Sequence, residues 1–168
     1  MTLQKACFAS GCFWCITPTF QEKIGVRSVV SGYSGGEEAN PTYLDVKSQK
    51  TGHREAVMIE YNPEKITYQE LFDTFLSGVD PFDGGGQFID RGFSYTLAVY
   101  YLDEAQRRIA EASIKKLEAN SGQAVQISLE PFKSFWIAEE YHQDYHKKNP
   151  DAFRRELIES GRLRVLSH

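Results

Sequence analysis

The sequence predicts an α+β protein, a two-layer α/β sandwich, and three observations predict it. Stretches with strand periodicity are interrupted irregularly by helix-periodic ones, without the even alternation of a doubly wound parallel sheet. The loops ahead of Glu55 and Tyr95 are long and rich in glycine and polar residues, and loops of that length inside a compact domain are usually functional. The chain has 168 residues, 41% of them hydrophobic and 25% charged. That is enough for one well-packed core and too little for two ordinary domains, so residues 1–168 are expected to form a single domain.

The elements are taken in chain order. Residues 3–8 read as a first short strand leading directly into Cys12. A helix then runs from Cys12 toward Ile24, with Pro18 early enough to delay its start or kink it. Residues 26–30 are β-branched and apolar enough for a central strand, and Gly32 to Pro41 reads as an extended loop. Residues 55–61 alternate as a strand, with Val57 and Ile59 on one face and Glu55 at its start. Thr67-Tyr68-Gln69-Glu70 is a capping box opening a helix that ends near Gly78. A glycine loop over residues 83–92 precedes a strand over residues 95–101. Asp103 with Gln106 caps a helix reaching Asn120, where Gly122 can stop it, and residues 125–129 supply another strand. A helical segment is expected over residues 138–147 and a short helix over residues 151–159, inside a C-terminal tail (residues 150–168) that holds no cysteine.

Composition excludes several function classes. The net charge is −4, and no basic stripe interleaved with aromatics marks a nucleic-acid binder. No apolar run approaches the roughly 20 residues of a membrane helix, and the first residues lack a signal peptide's apolar core. Ala9-Ser10-Gly11-Cys12 is loosely similar to a lipoprotein cleavage box but has no hydrophobic segment ahead of it. The expectation is a reducing, cytoplasmic location for a monomer whose cysteines work rather than staple.

Gly11-Cys12-Phe13-Trp14-Cys15 concentrates the candidate chemistry. The thiolate is the reactive form of cysteine, and a helix N-terminus lowers a thiol pKa through unpaired N–H groups and the positive dipole end. Cys15 lies three residues on, within reach of Cys12 for a disulfide by local adjustment. Phe13 and Trp14 have little reason to flank a nucleophile unless something apolar must sit beside it. Two other readings stand beside this one. A CxxC can be half a zinc site, although a closed site needs four ligands and only Cys7 remains among the thiols. Two buried structural cysteines beside core aromatics are the other.

Further polar residues carry less. His142 and His146 stand four apart on the expected helix, without an HExxH pattern, and favour structure over a metal, with His142 making hydrogen bonds near the site. His53 fits the organisation of the loop leading to Glu55. Glu139 and Glu140 would point apart on a helix, one capping or supporting the site and the other solvated. Tyr33 and the glycines around it shape backbone rather than bind phosphate, since no Lys-Ser/Thr comes after them.

Six segments together are similar to the A-type peptide methionine sulfoxide reductases: Gly11-Cys12-Phe13-Trp14, Gly32-Tyr33-Ser34-Gly35-Gly36, Pro41-Thr42-Tyr43, Thr51-Gly52-His53-Arg54-Glu55, Asp90-Arg91-Gly92 with Tyr95, and Ala138-Glu139-Glu140-Tyr141-His142-Gln143. They occur in the family's order from Cys12 to Pro150. The resemblance implies a central mixed, largely antiparallel sheet with the ferredoxin-like core of that type. It implies reduction of the S epimer of methionine sulfoxide, protein-bound and free, since one reductase serves each epimer. Cys12 would be the nucleophile and Glu55 the acid at the sulfoxide oxygen, with an upward pKa shift through burial keeping it neutral. Tyr43 and Tyr95 would donate to the same oxygen. Phe13 and Trp14 would cradle the S-methyl group, and Asp90 would bind substrate or support the tyrosines.

Cys15 places the chain in a GCFWC subgroup, since many members carry Gly there and recycle through C-terminal cysteines that this tail lacks. A Cys12–Cys15 disulfide reduced by thioredoxin or a similar dithiol would close the cycle, with no cofactor. Cys7, in the first strand, would be buried and inert. Two departures stand out. Ser94-Tyr95-Thr96-Leu97 replaces a common Gln-Tyr-Arg-Ser, and Ile16-Thr17 replaces an apolar-Glu pair. Two rival classes remain: a general CxxC thiol–disulfide oxidoreductase, which needs none of Glu55, Tyr43 and Tyr95, and a module that binds oxidised methionine without turnover.

Overall fold

The computed structural model describes residues 2–160. Two β-α-β units interlock in it. Strand β1 (Gln4–Ser10), helix α1 (Phe13–Gln21) and strand β2 (Val26–Ser34) form the first. Strand β3 (Arg54–Tyr61), helix α3 (Tyr68–Ser77) and strand β6 (Leu97–Tyr101) form the second. Each unit leaves a gap that the other fills: β3 inserts antiparallel between β1 and β2, and β1 inserts antiparallel between β3 and β6. Helix α4 (Glu104–Ser121) then returns the chain to β7 (Ile127–Pro131), which adds parallel to β6, and β8 (Phe135–Ile137) adds antiparallel to β2. The order β7-β6-β1-β3-β2-β8 is the mixed, largely antiparallel sheet that the sequence led us to expect.

Strand alternation sorts the core into two layers. Ala6, Phe8, Val57, Ile59, Leu97 and Val99 face the helices, where Phe13, Ile16, Phe20, Leu71, Phe72 and Phe75 meet them. Phe8 sits centrally, its ring 5.7 Å from Phe20, 5.8 Å from Tyr68 and 5.1 Å from Phe75. Truncating Phe8 to Ala would cost about 3–5 kcal/mol, the usual result of emptying a buried aromatic site. Cys7, Ala9, Ala56, Ala98 and Tyr100 face the other way and are covered by Met58, Phe132 and Phe135.

Caps set the helix ends. The Thr67 hydroxyl accepts from Glu70 N and the Asp103 carboxylate from Gln106 N, while Gly122 ends α4 in the left-handed region at φ 70°. Helix α1 holds Pro18 in its interior, and the Thr17 hydroxyl bonds back to the Phe13 carbonyl at 2.7 Å.

Several expectations are corrected. Strand β2 extends to Ser34, because β8 supplies its edge with the pairs Gly32↔Ile137, Tyr33↔Trp136 and Ser34↔Phe135. A short helix α2 (Tyr43–Lys47), closed by a capping box between Thr42 and Asp45, lies in what reads as loop. The glycine loop contains a small hairpin, β4 (Gly86–Gln87) with β5 (Asp90–Arg91), and Tyr95 falls in a 3₁₀ turn (Phe93–Tyr95) ahead of β6. The continuous helix over residues 138–147 is instead a 3₁₀ turn (Glu140–His142) and then α5 (Tyr145–Lys148). Gln143 breaks it. Its amide accepts from Ser31 N at 3.0 Å and donates to the Ser31 carbonyl at 2.8 Å, substituting for a strand partner beside β2. Asp144 then turns the chain in the left-handed region at φ 52°. The expected tail helix is α6 (Pro150–Ser160), and the remainder of the tail, 161–168, lies outside the described residues.

Candidate active site

Cys12 is the N-cap of α1, reached from the end of β1 through Gly11 at φ 85°, a left-handed conformation that glycine takes without a Cβ clash. It is 6% exposed. Cys15 is fully buried one turn below, and its N–H donates to the Cys12 carbonyl at 3.2 Å. Both thiols are free. The helix N-terminus does not win at Cys12. A hydrogen bond to Cys15, burial, and the negative charges of Glu55 and Asp90 together push its pKa well above the ordinary thiol value, correcting the expected depression. Cys12 therefore rests as a thiol.

Glu55 is the second residue of β3, on the helix-facing side opposite Tyr33 of β2. Its carboxyl accepts from Phe13 N at 3.2 Å, which places it beside Cys12 at the same helix N-terminus. At 2% exposure, burial raises its pKa to about 8, with the Phe13 N–H opposing and Asp90 adding to the rise. A carboxyl group in this state is mostly protonated at neutral pH and can donate.

Tyr43 begins α2 and Tyr95 ends the 3₁₀ turn, yet the tertiary structure brings their hydroxyls together. Tyr95 donates a hydrogen bond to Tyr43, and burial raises both phenols so that they remain protonated donors. Asp90, half-buried on β5, acts on Cys12, Glu55 and both tyrosines through its charge.

An aromatic wall stands beside the thiol. Phe13 is sealed at 1% exposure between Trp14, Tyr33 and His142, whereas Trp14 is half-buried and stacks on Tyr145 at 4.0 Å. The Trp14 indole N–H donates to His142 Nδ1 at 2.9 Å. His142 is buried, its ring 4.3 Å from that of Tyr43, and burial lowers its pKa, keeping it neutral. Glu139 joins the two sides. Its carboxylate accepts from the Tyr33 hydroxyl at 2.8 Å and from Tyr43 N at 2.9 Å. Those bonds outweigh partial burial and hold its pKa below the ordinary value.

Residues 4–167 match the family model described as peptide methionine sulfoxide reductase. The chain belongs to the peptide methionine sulfoxide reductases. It is 48% identical over 159 residues to the peptide methionine sulfoxide reductase MsrA of Bacillus velezensis, covering 94% of this chain and 90% of that one. Among solved structures, reduced Mxr1 from Saccharomyces cerevisiae aligns with a TM-score of 0.83 at 29% identity, covering 89% of this chain and 87% of that one. Methionine sulfoxide reductase A of Corynebacterium diphtheriae aligns at 0.78 with 30% identity, covering 88% and 76%. Membership makes this chain an oxidoreductase of that family.

Cys12, Cys15, Glu55, Tyr43, Tyr95, Trp14 and Asp90 thus gather around one helix N-terminus, while Phe13 supports the wall from behind. Cys7 lies on the far face of the sheet, so the three thiols do not converge. Among the described residues no group of three His, Cys, Asp or Glu side chains is disposed to hold a metal. His142 and His146 belong to different turns, not one helix face. His53 organises its loop, accepting from Gly36 N at 3.2 Å. Glu139 and Glu140 do diverge: Glu140 is exposed and pairs with Lys148. Of the pair, Glu139 is the one that supports the site; that its two partners are Tyr33 and Tyr43 carried no signal in the sequence.

Proposed function

We propose that this chain is a single-domain repair enzyme that reduces methionine S-sulfoxide in oxidised proteins and peptides, and as the free amino acid. Its two thiols are regenerated by thioredoxin or a similar dithiol. The observation that carries the reading is the Glu55 carboxyl, buried and protonated, bonded to the N–H of the residue after Cys12.

Each residue has its share of the chemistry. The sulfoxide oxygen lies against Glu55 and the hydroxyls of Tyr43 and Tyr95, the Tyr95 hydroxyl turning to it from Tyr43 when substrate binds, and these groups stabilise the negative charge that grows there during attack. Cys12 releases its proton to solvent as substrate arrives and attacks sulfur, Glu55 delivers a proton to the oxygen, and Glu55 regains one from solvent before the next turnover. The oxygen passes to Cys12, leaving methionine and a Cys12 sulfenic acid: the sulfoxide gains two electrons and the thiol loses them. The Cys15 thiol then displaces water from the sulfenic acid to give the Cys12–Cys15 disulfide. Trp14, backed by Phe13, forms the dry surface for the methyl group, and burial, with the charge of Asp90 adding to it, keeps the carboxyl and phenols protonated. No resident cofactor takes part. Cys15 places the chain in the subgroup with a GCFWC motif, and recycling within that motif suits a cytoplasmic monomer supplied with electrons by a reducing dithiol pool.

Single-turnover reduction of the separated S and R epimers of a methionine sulfoxide peptide, by pre-reduced protein without added reductant, tests the reading. One equivalent of methionine from the S epimer alone, with two thiols lost, is expected. Methionine from neither epimer would return the chain to the dithiol exchangers or to a binding module.

A further inference from the structure

Tyr95 occupies a turn that no strand or long helix holds, and its two sequence neighbours are both tied down from outside. Before it, Ser94 is gripped by Gln49: the amide oxygen accepts from Ser94 N at 2.9 Å, and the amide nitrogen donates to the Ser94 hydroxyl at 2.8 Å. The other amide hydrogen goes to the Lys47 carbonyl at 3.0 Å, so the amide's hydrogens are both used and its orientation is fixed. Gly92, at φ 117°, makes room, because a Cβ there would stand 2.8 Å from the Gln49 side chain. After Tyr95, the Thr96 hydroxyl accepts from Arg54 Nε at 2.8 Å and donates to the Phe93 carbonyl at 2.6 Å. The guanidinium also lies 4.4 Å over the Phe93 ring.

Each anchor is itself connected to the rest of the site. Gln49 stands two residues beyond α2, so its amide links the segment that carries Tyr43 to the turn that carries Tyr95. Arg54 precedes Glu55 on β3 and points to the opposite face, where it donates to Glu130 at 2.7 Å and to the Tyr100 hydroxyl at 3.0 Å. One stretch of strand backbone therefore fixes both the acid and the turn that presents Tyr95. Ser94 and Thr96 are also the two polar positions flanking Tyr95 at which this segment departs from the family's usual Gln-Tyr-Arg-Ser.

We propose that Gln49 and Arg54 are positioning residues that hold the Tyr95 hydroxyl at the sulfoxide oxygen by bonding Ser94 and Thr96, an inference resting on the reading that Tyr95 donates to that oxygen. Neither touches substrate. A hydroxyl displaced by a fraction of its bond length still fits the fold but donates poorly to developing charge, so the loss falls on the chemical step.

The experiment is a double-mutant cycle on single-turnover methionine formation from a peptide S-sulfoxide, with thermal unfolding recorded for every variant. Gln49→Ala and Thr96→Val each slow the saturated rate on the order of tenfold. The half-saturating substrate concentration stays within about twofold, and the iodoacetamide alkylation rate of Cys12 is unchanged. In a Tyr95→Phe background both effects disappear, since the hydroxyl they serve is gone. Equal slowing with and without the Tyr95 hydroxyl, or no slowing at all, overturns the proposal. A Tyr95→Phe enzyme as fast as the parent overturns it too, but by removing the role of Tyr95 itself, which separates the two failures. Should Gln49→Ala fold poorly, Ser94→Ala removes the amide's hydroxyl partner alone and must give the same cycle.

Discussion

The thiol–acid pair and the oxygen-binding tyrosines are held by different means. Cys12 and Glu55 stand at the ends of β1 and β3, adjacent central strands paired from Gln4↔Tyr61 to Phe8↔Val57 and backed by the main core. Tyr43, Tyr95 and Asp90 come from a five-residue helix, a three-residue turn and a two-residue strand outside the main sheet. Glu139 accepts from Tyr43 N, Gln49 and Arg54 bond the neighbours of Tyr95, and Asp90 sits in the small hairpin opposite Gln87. The pair that exchanges bonds is thus placed by regular structure with many redundant contacts. The groups that sense the substrate oxygen are placed by a few polar contacts, each individually breakable.

The comparison makes graded predictions. Glu55→Gln should have the largest effect, a loss of single-turnover rate on the order of 10²-fold or more, because it removes the proton donor. Its stability should move the other way. A buried acid with its pKa raised to about 8 binds its proton more tightly folded than unfolded. It therefore destabilises the native state progressively as pH rises from the ordinary carboxyl range through about 8. Denaturant unfolding near pH 8 should find Glu55→Gln more stable, by on the order of 2 kcal/mol, with the difference vanishing near pH 4. A gap that is constant across that range would place the acid outside the buried pair. In the unsubstituted enzyme the rate should fall as pH climbs past about 8, as the donor empties.

Tyr95→Phe comes next, expected to slow the first turnover on the order of tenfold with little change in stability, since one of two phenol donors remains. Stopped-flow or quenched single turnovers measure it. A loss equal to that of Glu55→Gln would mean that the loop-held group matters as much as the framework-held one.

Glu139→Gln should be smaller, a few-fold in rate together with about 1 kcal/mol of stability, because the substituted amide keeps one acceptor for Tyr43 N or the Tyr33 hydroxyl but not both. In the parent, that carboxylate's depressed pKa means that its contribution is present above the ordinary carboxyl range and is lost as pH falls through the lowered value.

Cys15→Ala should leave the first methionine intact and block the resolving step: one thiol is lost per turnover instead of two, and dimedone traps a sulfenic acid. Removing the bond that Cys12 donates to Cys15 also eases ionisation of Cys12. Mass-spectrometric alkylation at fixed pH should then find Cys12 reacting faster in the variant than in the parent. Slower reaction would show that Cys15 activates rather than restrains it.

The framework was largely legible in the sequence and the clamps were not. Val57 and Ile59 alternate around a core strand with Glu55 at its start, and the caps at Thr67 and Asp103 carry their own signals, so these elements lie where periodicity and capping place them. Helix α2 hid inside a polar loop because five residues show no period, and beyond its local capping box its first N–H is held by the distant Glu139. The segment over residues 138–147 has helical composition, and it is broken where Gln143 bonds Ser31 of β2 and Asp144 turns through the left-handed region.

By itself the sequence determined which groups are available: two thiols in one helical turn, an acid at a strand start, one tyrosine in a loop and another beside a glycine loop, and the irregular succession of strands and helices that makes an α+β sandwich. The tertiary structure decided what those groups become. It buried Glu55 until its carboxyl stays protonated near neutral pH, turned the expected thiolate at Cys12 into a resting thiol, and carried Tyr43 and Tyr95, 52 residues apart by their numbering, into hydrogen-bond contact. The physical reason is that burial and long-range polar contacts set protonation and position, and neither is a property of a local stretch of chain.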